Sequence, residues 1–166
     1  MAELPEEQDL AKARKNSAEA FVSLERFLRR LRWKPTKIPK LMAWQVNFDD
    51  EGPIAACAAH ILPDTERFVF FVQVDVRVPM KRRVEVADLL NRLNYGTIIG
   101  NFEMDAEDGE VRYRASLDFR DTELTENLIA NVVSSAMDAT EDYVQAVLAV
   151  SEGELTAKDA FRKIAS

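Results

Sequence analysis

Between Leu93 and Phe119 the chain reads as a helix end, a stop and a complete β-hairpin. Ile98, Gly100, Phe102 and Met104 alternate with Thr97, Ile99, Asn101, Glu103 and Asp105. After Ala106-Glu107-Asp108-Gly109, the residues Val111, Tyr113, Ala115, Leu117 and Phe119 alternate with Glu110, Arg112, Arg114, Ser116 and Asp118. A period of two puts each set on its own face of a sheet. Pairing Asp105 with Glu110 sets Phe102 opposite Tyr113 on the apolar side. It also sets Glu103 opposite Arg112 and Asn101 opposite Arg114 on the polar side, and a one-residue slip would reverse every face. Gly109 suits the positive φ of the turn, and Gly96 is expected as a left-handed cap on the helix before it.

The rest of the chain divides in the same way. Leu10, Ala13, Ser17, Phe21, Leu24, Leu28 and Leu31 recur at helical spacing. They predict an amphipathic helix of about 20 residues after a frayed segment 1–8. Pro35 and Pro39 make the next connection extended. Residues 41–48 alternate, with Met42, Trp44, Val46 and Phe48 inward, and Asp49-Asp50-Glu51-Gly52 forms a turn. Residues 54–62 read as a strand of small side chains and 67–78 as the longest strand. In the latter Phe68, Phe70, Val72, Val74 and Val76 share a face, but Val69 and Phe71 make half of the other face apolar, which predicts cover on both sides. Pro79 opens a helix with Val84, Ala87, Leu90 and Leu93 as its buried stripe and Lys81, Arg82, Arg83 and Glu85 as its wet side. Positions from Leu124 to Leu148 predict a long helix stopped near Gly153, and Thr156 caps a short last helix over 156–165. The expected fold is α+β, a single mostly antiparallel five-stranded sheet with helices in the order α-β-β-β-α-β-β-α-α. The crossover rule puts the strand 110–119 beside 67–78 and leaves 97–105 at the edge. No repeat or linker interrupts residues 1–166, so one domain is expected.

Charge adds a local contrast. The net charge is −7, yet residues 1–40 hold 10 Lys/Arg against 6 Asp/Glu, and the remainder 12 against 23. The acidity argues against nonspecific nucleic-acid binding. Arg26, Arg29, Arg30, Arg32, Lys34, Lys37 and Lys40 crowd the end of the first helix. They read either as cations at a helix C-terminus, where the dipole favours them, or as a docking patch for an acidic partner. No apolar run is long enough to span a membrane, and the acidic opening lacks the apolar core of a secretory signal, so the cytoplasm is expected. One cysteine, Cys57, excludes an intramolecular disulfide. The only histidine, His60, has no nucleophile or ligand set beside it in sequence. Asp105 to Glu110 lacks the ligand spacing of a calcium loop, and no glycine-rich phosphate loop is present. No catalytic residue, cofactor or metal is expected.

Leu90-Asn91-Arg92-Leu93-Asn94-Tyr95, Gly100-Asn101-Phe102-Glu103-Met104-Asp105, Asp108-Gly109-Glu110-Val111-Arg112-Tyr113 and Ser116-Leu117-Asp118 resemble the YbjN family. That family is described as bacterial sensory transduction regulators and shares the fold of type III secretion chaperones. The resemblance covers roughly the second half of the chain well and the first half only in element order. It implies the chaperone fold and dimerisation through the helix 79–95, and it brings no catalytic residues. The expected function is a non-enzymatic protein-binding module, a chaperone-like adaptor or regulator of bacterial signalling or stress response. It is expected to bind a protein partner and to form a homodimer. Leu89, Ile98, Ile99 and Asn101 are the expected dimer contacts, and Arg29, Arg30, Arg32 and Lys34 the expected partner contacts. An alternative is a small-molecule or peptide sensor with a pocket between sheet and helices, lined by Trp44, Phe70 or Phe102. A weaker alternative is a hydrolase using Asp and Glu.

Overall fold

A computed structural model describes residues 7–48 and 52–164. The elements are α1 (Glu7–Arg30), β1 (Thr36–Lys37), β2 (Ala43–Asn47), β3 (Ile54–Leu62), β4 (Arg67–Arg77), a 3-10 turn (Met80–Arg82), α2 (Arg83–Gly96), β5 (Asn101–Met104), β6 (Glu110–Asp118), α3 (Glu126–Glu152) and α4 (Ala157–Ile164). Residues 1–6 of the expected frayed segment, residues 49–51 of the expected turn and residue 165 of the last helix lie outside the described residues.

The sheet has six strands rather than five, in the order β1-β2-β3-β4-β6-β5, with every pair antiparallel. The added strand is β1, which pairs Thr36 with Gln45 and Lys37 with Trp44. Pro35 and Pro39 hold this segment extended, and a missing N–H on either side keeps the strand to two residues. The hairpin register is the expected one: Phe102 opposes Tyr113, Glu103 opposes Arg112 and Asn101 opposes Arg114. Strand β6 lies beside β4, and β5 is the edge.

The entry to the hairpin departs from the expectation. Helix α2 runs through Gly96, which is not left-handed; Thr97 closes the helix in an extended conformation. Its hydroxyl donates to the Leu93 carbonyl at 3.0 Å, and its N–H to that of Asn94 at 3.2 Å. The left-handed residue is Gly100, with φ +84°. A Cβ there would strike the Tyr113 ring and the Arg114 carbonyl. Residues 97–100 are therefore a bend, and the strand begins at Asn101. Asn94 then clamps the strand: its amide donates to the Phe102 carbonyl at 2.9 Å and accepts from the Phe102 N–H at 2.8 Å.

Helix α3 packs on β4 and β6, α1 on α3 and β3, and α2 on α3, α4 and β5. Their inward side chains join Phe68, Phe70, Val72, Phe102 and Tyr113 in one continuous core. The buried stripe of α2 is Val86, Leu89, Leu90 and Leu93, not the expected stripe begun by Val84 and Ala87; Val84 is 84% exposed. Both stripes have helical spacing, and packing against α3, α4 and β5 selects the one richer in leucine. Nor do Arg82, Arg83 and Glu85 form a purely wet side. Arg82 donates to the Val150 carbonyl at 2.7 and 3.0 Å and to that of Leu155 at 3.2 Å. Arg83 donates to the carbonyls of Val78, Ala106 and Glu107. Glu85 accepts the Ala157 N–H at 2.7 Å. These contacts satisfy backbone groups that helix ends leave without partners. Gly153 ends α3 at φ +88°, and Thr156 caps α4 by accepting the Asp159 N–H at 3.1 Å, as expected.

The second face of the sheet is covered differently from the expectation. Val69 and Phe71 are half-buried beneath neighbouring polar side chains. The Arg112 guanidinium lies over Phe71, and the His60 ring stands edge-on to it at 5.8 Å. Arg112 and Arg114 both reach Glu103 on the adjacent strand, at 2.5 and 3.2 Å. Long cationic side chains lay their stems across apolar surface and keep their heads wet, so this face needs no helix.

Candidate functional site

The groups that most often carry chemistry are accounted for structurally. Cys57 is buried under α3, its Sγ 3.7 Å from the Met137 Sδ, and burial pushes its thiol up to about 12. Burial also lowers the His60 pKa. In the loop after β5, Asp105 Oδ1 accepts the N–H groups of Glu107 and Asp108, and Asp108 Oδ1 accepts that of Glu110 at 2.8 Å. These carboxylates close the turn. Among the described residues no group of three or more His, Cys, Asp or Glu is placed to hold a metal ion. No described helix is long and apolar enough to cross a membrane.

Two surface regions hold the residues expected at contacts. The first is the outer face of α2 and its flanks. Met80 is 79% exposed, Val84 84%, Tyr95 96% and Ile98 96%. Val84, Ala87, Asn91 and Tyr95, at steps of three and four residues, draw one line along α2, with Met80 in the turn before it and Ile98 in the bend after it. A shallow hollow of about 300 Å³ between Ile98, Ile99 and Tyr143 adjoins the line. Of the four expected dimer contacts, Ile98 and Ile99 belong to this surface. Asn101 is half-buried, its amide on the Phe102 carbonyl at 3.2 Å. Leu89 has none of its surface exposed and is a core residue, so its expected place at a contact is corrected. Sequence reasoning put Val84 inside; Leu90 and Leu93 fit either phase of the helix, and Val86 and Leu89 take the buried positions instead.

The second region is the end of α1 with the segment leading to β1. Arg29 pairs with Glu25 at 2.7 Å, and Arg30 with Glu126 at 2.8 Å. Arg26 approaches the same Glu126 at 3.8 Å, and Lys37 lies over the Phe21 ring at 5.2 Å. Arg32, Lys34 and Lys40 are exposed and have no partner among the described residues. So the expected partner contacts split: Arg29 and Arg30 are paired, Arg32 and Lys34 are not. Beside these cations Leu28, Arg29, Trp33, Pro35 and Trp44 line a cleft of about 290 Å³. Trp33 packs edge-on to Phe48, and Trp44 stacks on Phe21. The Trp44 Nε1 is buried and has no acceptor. The sequence reading marked the cations and missed the cleft, whose signal was Trp33 standing among them before Pro35.

Residues 23–149 match the YbjN family, described as "Putative bacterial sensory transduction regulator". No curated protein matches the chain significantly. Among solved structures the fold is similar to that in the "Crystal Structure of the ExsC-ExsE Complex", with a TM-score of 0.53 and 16% identity over 78% of this chain and 93% of that one. It is similar also to YbjN from E. coli, solved as "a putative transcription regulator", with a TM-score of 0.55 and 13% identity over 80% of this chain and 90% of that one. At these identities the likeness is one of fold.

Proposed function

The chain belongs to the YbjN family, and from that premise we propose that it is a non-enzymatic protein-binding module, a chaperone-like adaptor or regulator of bacterial signalling or stress response, working in the cytoplasm as a homodimer. The observation that carries this reading is the line of Met80, Val84, Tyr95 and Ile98, on α2 and its two flanks, each more than three-quarters exposed. An exposed apolar patch of this kind marks an interaction surface. A two-fold axis through it brings the line against its own copy and gives each Ile98 the neighbouring hollow to fill. The fold neighbour solved as a complex of ExsC with ExsE supports a protein partner. The sensor reading has less support. Phe70 and Phe102 are packed in the core, and Trp44 lines a surface cleft.

Light scattering at micromolar concentration tests the assembly: the expected mass is twice 18.8 kDa. Tyr95→Glu and Val84→Glu replace nearly fully exposed side chains, so they should give a folded monomer by leaving unpaired charge in the interface. A wild-type mass of 18.8 kDa at every concentration overturns the dimer.

A further inference from the structure

We infer that the cleft between Trp33 and Trp44 receives an apolar side chain of an acidic peptide, whose carboxylates meet Arg32, Lys34 and Lys40. This rests on the protein-binding reading and names the chemistry of the partner. The cleft holds about 290 Å³ between two indoles, Leu28 and Pro35, with the paired Glu25 and Arg29 at its side. That is at the lower limit of the about 300–1,000 Å³ that whole small ligands occupy, and so is room for a side chain. The chain segment that carries Trp33 and Pro35 supplies charge selection: Arg32 and Lys34 flank Trp33, and Lys40 follows five residues after Pro35. Glu126 holds Arg26 and Arg30, and Glu25 holds Arg29, which leaves Arg32, Lys34 and Lys40 to meet incoming carboxylates. Guanidinium–carboxylate pairing is geometrically specific.

Cations beside aromatic rings also suit single-stranded nucleic acid, but two observations favour the peptide. The indoles are walls packed on Phe21 and Phe48, not free platforms for stacked bases. Beyond residue 40 the chain holds 12 Lys/Arg against 23 Asp/Glu, which opposes a long polyanion extending past the patch.

Both tryptophans of the protein line this one cleft, so their emission reports on it directly. The probe is a tryptophan-free dodecapeptide of alternating acidic residues and Leu or Phe, titrated into the full chain. The expected result is a saturable emission change with a micromolar Kd that weakens with salt. Polyglutamate of the same length should bind at least tenfold more weakly. The double variant Arg32→Glu, Lys34→Glu alters only exposed side chains and should lose at least tenfold in affinity with an unchanged urea midpoint. No emission change up to millimolar peptide, equal affinity for polyglutamate, or tighter binding of an oligothymidylate would each overturn the inference. Such a failure in a protein that is still a dimer by light scattering leaves the module reading standing. Peptide binding by a protein that is monomeric throughout supports the cleft and removes the dimer.

Discussion

The guanidinium of Arg112 lies 4.5 Å from the centroid of the Phe71 ring, on the sheet face opposite the helices. The same guanidinium reaches Glu103 across the hairpin. One side chain thus shields an aromatic ring and ties β6 to β5. An exposed cation–π contact contributes about 0.5–1 kcal/mol and a partly exposed ion pair about 0.2–1 kcal/mol. Arg112→Ala is therefore expected to cost about 1–2 kcal/mol in urea unfolding and to increase binding of an apolar dye. Arg112→Lys should recover only part, since an ammonium lacks the planar fork. An unchanged midpoint for Arg112→Ala would show that the shield contributes nothing.

Gly109 and Gly96 should respond in opposite directions. Gly109 has φ +80°, and a Cβ there would meet the carbonyl of Val78. Gly109→Val is expected to cost at least about 2 kcal/mol, from left-handed strain together with that clash. Gly96 lies within α2 with nothing within 4 Å of an added Cβ. Gly96→Ala should therefore gain about 0.5–1 kcal/mol. Denaturant midpoints that move the same way in both variants would contradict the backbone described here.

Phe102 is 2% exposed, with its ring edge-on to Tyr113 at 4.8 Å and near Tyr143 of α3 at 6.3 Å. Phe102→Ala is expected to cost about 3–5 kcal/mol. Phe102→Leu should cost much less, as it retains most of the buried volume. Thermal and urea unfolding measure both.

The hairpin was legible because a two-residue period with one glycine turn leaves a single register that keeps Phe102 and Tyr113 inside. Strand β3 was legible as a run of small side chains between turns, β4 from its alternation, and α3 from its long apolar stripe and Gly153. The phase of α2 was not, since Val84 and Ala87 fit helical spacing as well as Val86 and Leu89 do; only α3 and α4, distant in sequence, decide between them. Strand β1 was invisible because two residues carry no period. For the candidate site, the cations 26–40 could be read directly. Which of them are paired depended on Glu126, about a hundred residues away. The cleft depended on Trp44 of β2 lining the same hollow as Trp33 of the segment before β1. The roles of Arg82 and Glu85 were hidden for the same reason: an exposed charge and a long-range helix cap look identical in sequence.

Arg82→Ala removes the donor to the Val150 and Leu155 carbonyls. The expected cost is about 1–3 kcal/mol, because part-buried acceptors lose a charged partner. Amide exchange should quicken in the last turn of α3 and in α4 while remaining slow in β4. Uniform exchange throughout the chain would argue against a local cap.

Cys57 and His60 give opposite pH dependences. The Cys57 thiol is raised from 9.0 to about 12 in the folded state, so above about pH 9 only the unfolded thiol ionises, and the Cys57 contribution to stability falls as pH rises. Thiol reagents at neutral pH should label it only as fast as the structure opens. His60 is lowered by burial from 6.5, so stability is retained above that value and lost as the pH falls through it. Its single imidazole signal should titrate below pH 6.5, and His60→Gln should flatten the acid limb of the stability profile. Rapid labelling of native protein, or a His60 titration above that value, would contradict the burial of these groups.

The caps made by Arg82 and Glu85 reach forward 68 and 72 residues, to Val150 and Ala157. A ribosome adding about 5–20 residues per second needs about 4–14 s to supply that length. During this interval β4 and the leucine face of α2 have been made, but the helices that cover them have not. The nascent chain is then a partial sheet with an open apolar side, the form in which aggregation competes best with folding. A chain arrested before Glu126 is therefore expected to aggregate more readily than the finished one, because α3 and α4 are what close that side.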